Sequence, residues 1–234
     1  MKKVILVFIM FFVMSSTSFA DSTVYITQSG ASLDLDITLD GNGNAVGTST
    51  DRTLLTGANL DVDIDLIGAT NTITGDFIGA GESGSDDLKI SQTGSTNTTA
   101  LNVGASAATD DVKIIETRVG SSGATSYTIG SSATVQDVSV TVDVIGDDID
   151  IALTENSSSS GSDKTTDIDI GTDSDDVDII VTHTGAGAHK TKLLCIGSCA
   201  GSDFTMSQTG ANSTDVDITV TNATSSDVDI TITD

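Results

Sequence analysis

The strongest constraint in this sequence is an apolar–polar alternation of period two that returns along the chain. Leu60-Asp61-Val62-Asp63-Ile64-Asp65-Leu66 is the plainest run, and residues 138–144, 148–153, 176–179, 215–220 and 227–232 repeat it. On an extended strand successive side chains point to opposite faces, so Val, Ile and Leu fall on one side and Asp or Thr on the other. Turn clusters separate the runs: Gly41-Asn42-Gly43-Asn44, Gly79-Ala80-Gly81, Ser121-Ser122-Gly123, residues 156–161 and Gly185-Ala186-Gly187. Beyond residue 20 no stretch carries a sustained helical period with caps. The same stretch holds four aromatics, Tyr25, Phe77, Tyr127 and Phe204, and neither Pro nor Trp. A wide globular core is usually filled by large rings. A narrow core stacked rung on rung suits small branched side chains and is interrupted by Pro. High net charge by itself would favour disorder, but the regular β-branched alternation argues against it.

The runs are also copies of one another. Asp87-Leu88-Lys89-Ile90-Ser91-Gln92-Thr93 aligns with Asp111-Val112-Lys113-Ile114-Ile115-Glu116-Thr117, with Asp203-Phe204-Thr205-Met206-Ser207-Gln208-Thr209 and with Thr23-Val24-Tyr25-Ile26-Thr27-Gln28-Ser29. A weaker copy runs from Asp178 to Gly185, and a second strand often follows the turn, as in residues 33–39, 100–103 and 215–220. The unit is strand, turn, strand, turn. The expectation is an all-β chain forming one β-solenoid over residues 21–234.

Residues 1–20 read as an export signal. Lys2 and Lys3 precede eleven apolar residues, 4–14, and Ser18-Phe19-Ala20 fits a small-x-small cleavage site before Asp21. Eleven residues rise only about 16 Å as a helix, roughly half a bilayer core, so a membrane anchor is the poorer reading. The expected location is secreted, extracellular or cell-surface, with no membrane span in the mature chain. Removing the two leader lysines from 9 Lys+Arg, against 34 Asp+Glu, leaves 7 − 34 = −27. Such a charge makes nucleic acid an improbable partner.

Ser22-x5-Gln28-x-Gly30 and Ser202-x5-Gln208-x-Gly210 resemble the first half of the curlin repeat, the unit of curli-type bacterial amyloid fibres, and Gln92-x-Gly94-x-x-Asn97 resembles its central part. Gln28 to Gln92 is 92 − 28 = 64 residues and Gln92 to Gln208 is 208 − 92 = 116. Three and five units of about 22 residues, the period the resemblance implies, roughly fit both. The Ala after the Asn and the second Gln of that repeat are missing in every copy, Asp86 replaces Ser in the middle one, and Glu116 and His183 stand where Gln is expected. In a stacked solenoid, equivalent Gln and Asn lie about 4.8 Å apart and hydrogen-bond along the stack, while Gly permits the corner. The resemblance implies that ladder role for Gln28, Gly30, Gln92, Gly94, Asn97, Gln208 and Gly210. The competing reading is that they are ordinary polar residues flanking turns.

Asp-x-Asp pairs such as Asp34/Asp36, Asp148/Asp150, Asp167/Asp169 and Asp215/Asp217 place carboxylates on one outward face. Their readings are a solubilising acidic ladder or loose Ca²⁺ binding between rungs. Without calcium-roll nonapeptides or an EF-hand loop, no metal site and no cofactor are assigned, only loosely held Ca²⁺ as an option. Cys195 and Cys199, the two cysteines, fit a disulfide across a tight turn in an exported protein. With His183 and His189 they could instead supply four zinc ligands, which the oxidising compartment and the missing Cys-x2-Cys signature argue against, or remain free thiols. No nucleophile elbow or His-Glu-x-x-His appears, so no enzyme is expected. The expected function is a structural subunit or minor component of an extracellular curli-like fibre used in surface adhesion or biofilm matrix. Its implied partners are like subunits, a nucleating subunit and an outer-membrane export channel. The alternative is a secreted or cell-surface β-solenoid adhesin that does not polymerise; less favoured is a cargo-, ice- or mineral-facing repeat surface.

Overall fold

The computed structural model describes residues 21–30, 32–79, 86–104, 111–130, 135, 137–156, 163–171, 174–196, 199–210, 213–221 and 224–233. Residues 1–20, including the expected leader, lie outside them. Among the described residues there is no helix; nineteen strands form two sheets. The first sheet holds β1 (Ser22–Val24), β2 (Thr27–Ser29), β4 (Gly43–Val46), β5 (Thr53–Gly57), β7 (Thr70–Gly79), β9 (Thr96–Val103), β11 (Ser122–Ile129), β13 (Ile149–Asn156), β15 (Val177–Thr184), β17 (Asp203–Thr209) and β19 (Asp227–Thr233). The second holds β3 (Leu33–Asp40), β6 (Leu60–Ile67), β8 (Asp86–Thr93), β10 (Val112–Val119), β12 (Val138–Ile145), β14 (Lys164–Ile170), β16 (Ala188–Cys195) and β18 (Ser213–Val220).

The pairs run parallel; β1 to β4 each lie on the strand three places ahead, and from β5 onward each strand lies on the strand two places ahead in the same sheet. The chain is a β-solenoid of about seven turns with rungs roughly 26 residues apart. Two eight-residue strands such as β10 and β11 take 8 + 8 = 16 residues, so a rung of about 26 leaves about ten for its corners. The expected period of about 22 is therefore corrected: it would have left both corners only about six. The sequence alignment of Gln92 with Glu116 was also slipped by two residues, for Gln92 lies opposite Arg118 and Glu116 opposite Ile90. A slip of two keeps every side chain on its own face, so alternation by itself does not detect it.

The inward residues form one continuous core. Columns such as Val62–Leu88–Ile114–Val140 and Leu101–Tyr127–Leu153–Val181 run along the axis, all buried. Several strands begin just after a residue in left-handed backbone: Asn59, Asp111, Asp137, Asp148 and Asp176 have φ between 47° and 57°. Asn and Asp tolerate that conformation better than bulky residues. Part of the acid content thus serves corner geometry.

Candidate functional site

Three features carry chemistry: ladders inside the solenoid, two charged outer faces and two open ends. The first interior ladder sits at a glycine corner. Asn44 Nδ2 donates to Asn71 Oδ1 at 3.0 Å, and Asn71 Nδ2 donates to Asn97 Oδ1 at 2.9 Å. Each amide also donates to a carbonyl entering the next corner: Asn44 to Ile67 O, Asn71 to Thr93 O and Asn97 to Val119 O. All three are buried, and each stands three residues after Gly41, Gly68 or Gly94. A Cβ on Gly94 would lie 1.9 Å from Gly68 O and 2.9 Å from Asn71 Nδ2. This corner needs Gly for close stacking, whereas Gly210, at φ +77°, needs it for backbone conformation. Asn44 and Asn71 were missed as ladder members. The repeated Gly-x-x-Asn at 41–44, 68–71 and 94–97 is the signal that finds them.

The glutamines do not stack on one another. Gln92 closes β8 in the second sheet; Gln28 and Gln208 lie in β2 and β17 of the first. Gln28 and Gln208 fall in one column but are separated by Leu55, Phe77, Val103, Ile129, Glu155 and His183. Gln92 and Gln208 instead reach across the core to a threonine of the opposite sheet. Gln92 Oε1 accepts from Thr99 Oγ1 at 3.1 Å, and Gln208 Nε2 donates to Thr191 Oγ1 at 3.2 Å. Gly30, Gly94 and Gly210 each follow such a strand into its corner.

Glu116 and His183, the two departures from the repeat, anchor buried networks of their own. Glu116 accepts from Thr99, Thr125 and Tyr127 at 2.9–3.1 Å. Arg118 Nη1 donates to Thr125 Oγ1 at 2.8 Å, and its guanidinium fills the space left by Gly123, whose Cβ would lie 3.2 Å from Arg118 Cζ. Burial lowers the Arg118 pKa, opposed chiefly by the nearby Glu116 charge. Burial, then Glu116, drives the Tyr127 pKa well up, so the phenol stays a donor. In the second network Gln208 Nε2 donates to His183 Nδ1 at 3.3 Å, leaving the His183 Nε2–H facing Thr166 Oγ1 at 3.0 Å and Glu155 Oε2 at 3.2 Å. Thr166 Oγ1 donates to Glu155 Oε1 at 3.3 Å. Burial pushes Glu155 up to about 8, opposed by Lys164, and burial, with His189 and Lys164, pushes His183 down to about 3. Near neutral pH both groups are neutral, so this contact is not an ion pair, and Glu155 Oε2 is left without a hydrogen-bond partner. Lys164 Nζ lies 3.4 Å from His189 Nε2. The side chains of both networks lie in the buried core, so the networks pin the two sheets together without meeting bulk solvent.

Cys195 and Cys199 are joined in a disulfide with Cα atoms 6.4 Å apart, which takes both sulfurs away from the zinc alternative. His183 and His189 pack ring edge to ring face, centroids 5.4 Å apart. Among the described residues no group of three or more His, Cys, Asp or Glu is placed to hold a metal, and no helix is long and apolar enough to cross a membrane.

On the outer face of the second sheet the acidic columns are interrupted by lysines. Lys89 follows Asp63 and bonds it at 3.1 Å; Lys113 follows Asp87; Lys192 follows Asp167 and bonds Asp167 and Asp169 at 2.9 and 3.1 Å; Lys190 lies beside Asp215. Exposed pairs of this kind contribute little to stability, but they break up like-charge repulsion. The first sheet keeps an unbroken acidic column, Asp150–Asp178–Asp203–Asp227. The Asp178 pKa is raised by burial, then by Asp203 and Asp150.

The ends of the stack are unlike its middle. β19 carries Val228, Ile230 and Ile232 in the inward register, yet they are 45%, 43% and 49% exposed. In β18, Val216, Ile218 and Val220 are only partly buried, as are Val24, Ile26, Leu33 and Leu35 at the opposite end. Among the described residues no strand pairs with the outer edges of β18 and β19, or of β1, β2 and β3. The chain matches no family model, no curated protein and no solved structure.

Proposed function

We propose that this chain is an exported structural protein: a subunit or minor component of a curli-like extracellular fibre serving surface adhesion or a biofilm matrix, and not an enzyme. The observation that carries the reading is that, among the described residues, no strand pairs with the outer edges of β18 and β19 or of β1, β2 and β3. A parallel edge strand presents unpaired N–H and C=O groups that another chain can extend, and repeat stacks that stay soluble as monomers normally close their ends with a polar cap. Here both end rungs leave core aliphatics in partial contact with water. The Asn44–Asn71–Asn97 ladder along the axis belongs to the same cross-β chemistry.

The test is sedimentation and electron microscopy of purified residues 21–234 with thioflavin fluorescence, over days and across salt. Unbranched thioflavin-binding fibres with strands across the axis are expected. A folded chain that stays monomeric at high concentration in every salt would end the fibre reading, and if it still coated cells it would be the non-polymerising adhesin.

A further inference from the structure

The columns of the solenoid specify how a second copy would fit. Continuing the register of the second sheet one rung beyond β18 places Val216 over Leu35, Ile218 over Ile37 and Val220 over Leu39 of the next molecule. The positions follow from the unbroken columns that join those residues within one chain. In the first sheet the same operation sets Val228 over Val24. These four inward pairs are aliphatic on aliphatic, each at least partly exposed at its own end or packed beside a residue that is, while the same columns set Ile232 over Gln28. Parallel pairing in this register makes growth polar, with the same two surfaces meeting at every junction.

The outward positions at that junction do not match. Asp215 comes over Asp34 and Asp217 over Asp36, all four exposed. Behind Asp34 and Asp36 lie Asp61 and Asp63, so the acceptor end is acidic two rungs deep, with Lys89 beyond Asp63. Behind Asp215 and Asp217 lie Lys190 and Lys192. Within the chain, lysines interrupt these columns; at the junction none does. On the other sheet Asp227 meets Thr23 and adds no like-charge pair.

We propose that the chain binds a second copy of itself by seating β18 and β19 on β1–β3 in the register that continues its own columns. The aspartate pairs Asp215/Asp34 and Asp217/Asp36 are the electrostatic gate that sets the ionic strength at which this happens. The inference rests on the fibre reading and names its contact and its control. The two like-charge pairs, each one rung apart at about 4.8 Å in water, together weaken association by about tenfold at 0.01 M salt and by less than about twofold at 1 M.

The experiment compares the critical concentration for sedimentation of the wild type, D34N/D36N and D150N/D178N at 0.01 M and 1 M NaCl, with circular dichroism confirming that each is folded. D150N/D178N removes the same charge from the middle of the stack. At 0.01 M, D34N/D36N should polymerise at a concentration about tenfold below the wild type and clearly below D150N/D178N, with all three converging at 1 M. If the wild type polymerises and the two double variants behave alike, the junction and its gate are wrong while the fibre reading stands. If no form sediments in any salt, the fibre reading falls and this inference with it.

Discussion

Glu155→Gln tests whether the buried polar column behaves as its geometry requires. The substitution preserves shape and the hydrogen bond accepted from Thr166 but removes the titrating proton. Burial raises the folded-state pKa of Glu155 to about 8 from an ordinary value of 4.5. Between those values the folded protein holds a proton that the unfolded chain has released, so stability falls as pH rises and stops falling once pH passes about 8. His183 runs the other way: lowered from 6.5 to about 3, it makes stability rise with pH in that window and contributes no slope above 6.5. From pH 6.5 to 8 the Glu155 contribution falls by about 1.6 kcal/mol, at 1.36 kcal/mol per unit with rounding near the pKa. Lys164 and His189, both lowered by burial, titrate in both proteins, so the difference between the curves reports the carboxyl together with its coupling to Lys164. The assay is urea unfolding followed by far-ultraviolet circular dichroism at pH 5.5, 6.5, 7.5 and 8. Wild type should lose about 1.6 kcal/mol relative to Glu155→Gln between pH 6.5 and 8. Parallel curves across that interval would refute the sealed, protonated carboxyl.

The other expectations concern single interactions. Arg118→Met should cost about 3 kcal/mol by leaving Glu116 buried beside no cation, and adding Glu116→Gln should recover most of it, as a double-mutant cycle in urea would measure; additive losses would reject the coupling. Asn71→Ala removes both neighbours' ladder bonds and the one to Thr93 O, and should cost about 2–4 kcal/mol in the same assay, against under about 1 kcal/mol for half-buried Thr72→Ala. Non-reducing mass spectrometry should recover Cys195 linked to Cys199; because the bridge spans a sequence separation of 4, its reduction should cost only about 2 kcal/mol, and two alkylatable thiols in exported protein would contradict it.

The all-β class was legible because period two admits one backbone solution, and the absence of Pro and scarcity of rings favoured a narrow stacked core. The rung length was not, because corner residues carry no periodic signal and a two-residue slip leaves each face intact. The fate of the Gln-x-Gly motif illustrates the same limit. The local sequence specifies a strand that ends in Gln or His and enters a glycine corner, and it does so at Gln92, His183 and Gln208. Which sheet that strand joins depends on which of the two corners in a rung is the tight one. That changes along the chain: Gly94 and Ser95 lead from the second sheet to the first, whereas residues 185–187 lead from the first to the second. Identical motifs therefore ended on opposite walls, where each found a threonine across the core. Nothing in the local sequence marked Arg118, Glu155 and Lys164 as interior residues, and only stacking put them inside with Glu116, where Gly123 leaves room for a guanidinium and Thr99 and Thr125 donate to Glu116. The sequence by itself determined the alternation, the corners and the aliphatic supply, all of which are set by neighbours along the chain. The register between rungs, and with it every polar partner inside the solenoid, was decided by contacts between residues about 26 apart, which local patterning does not encode.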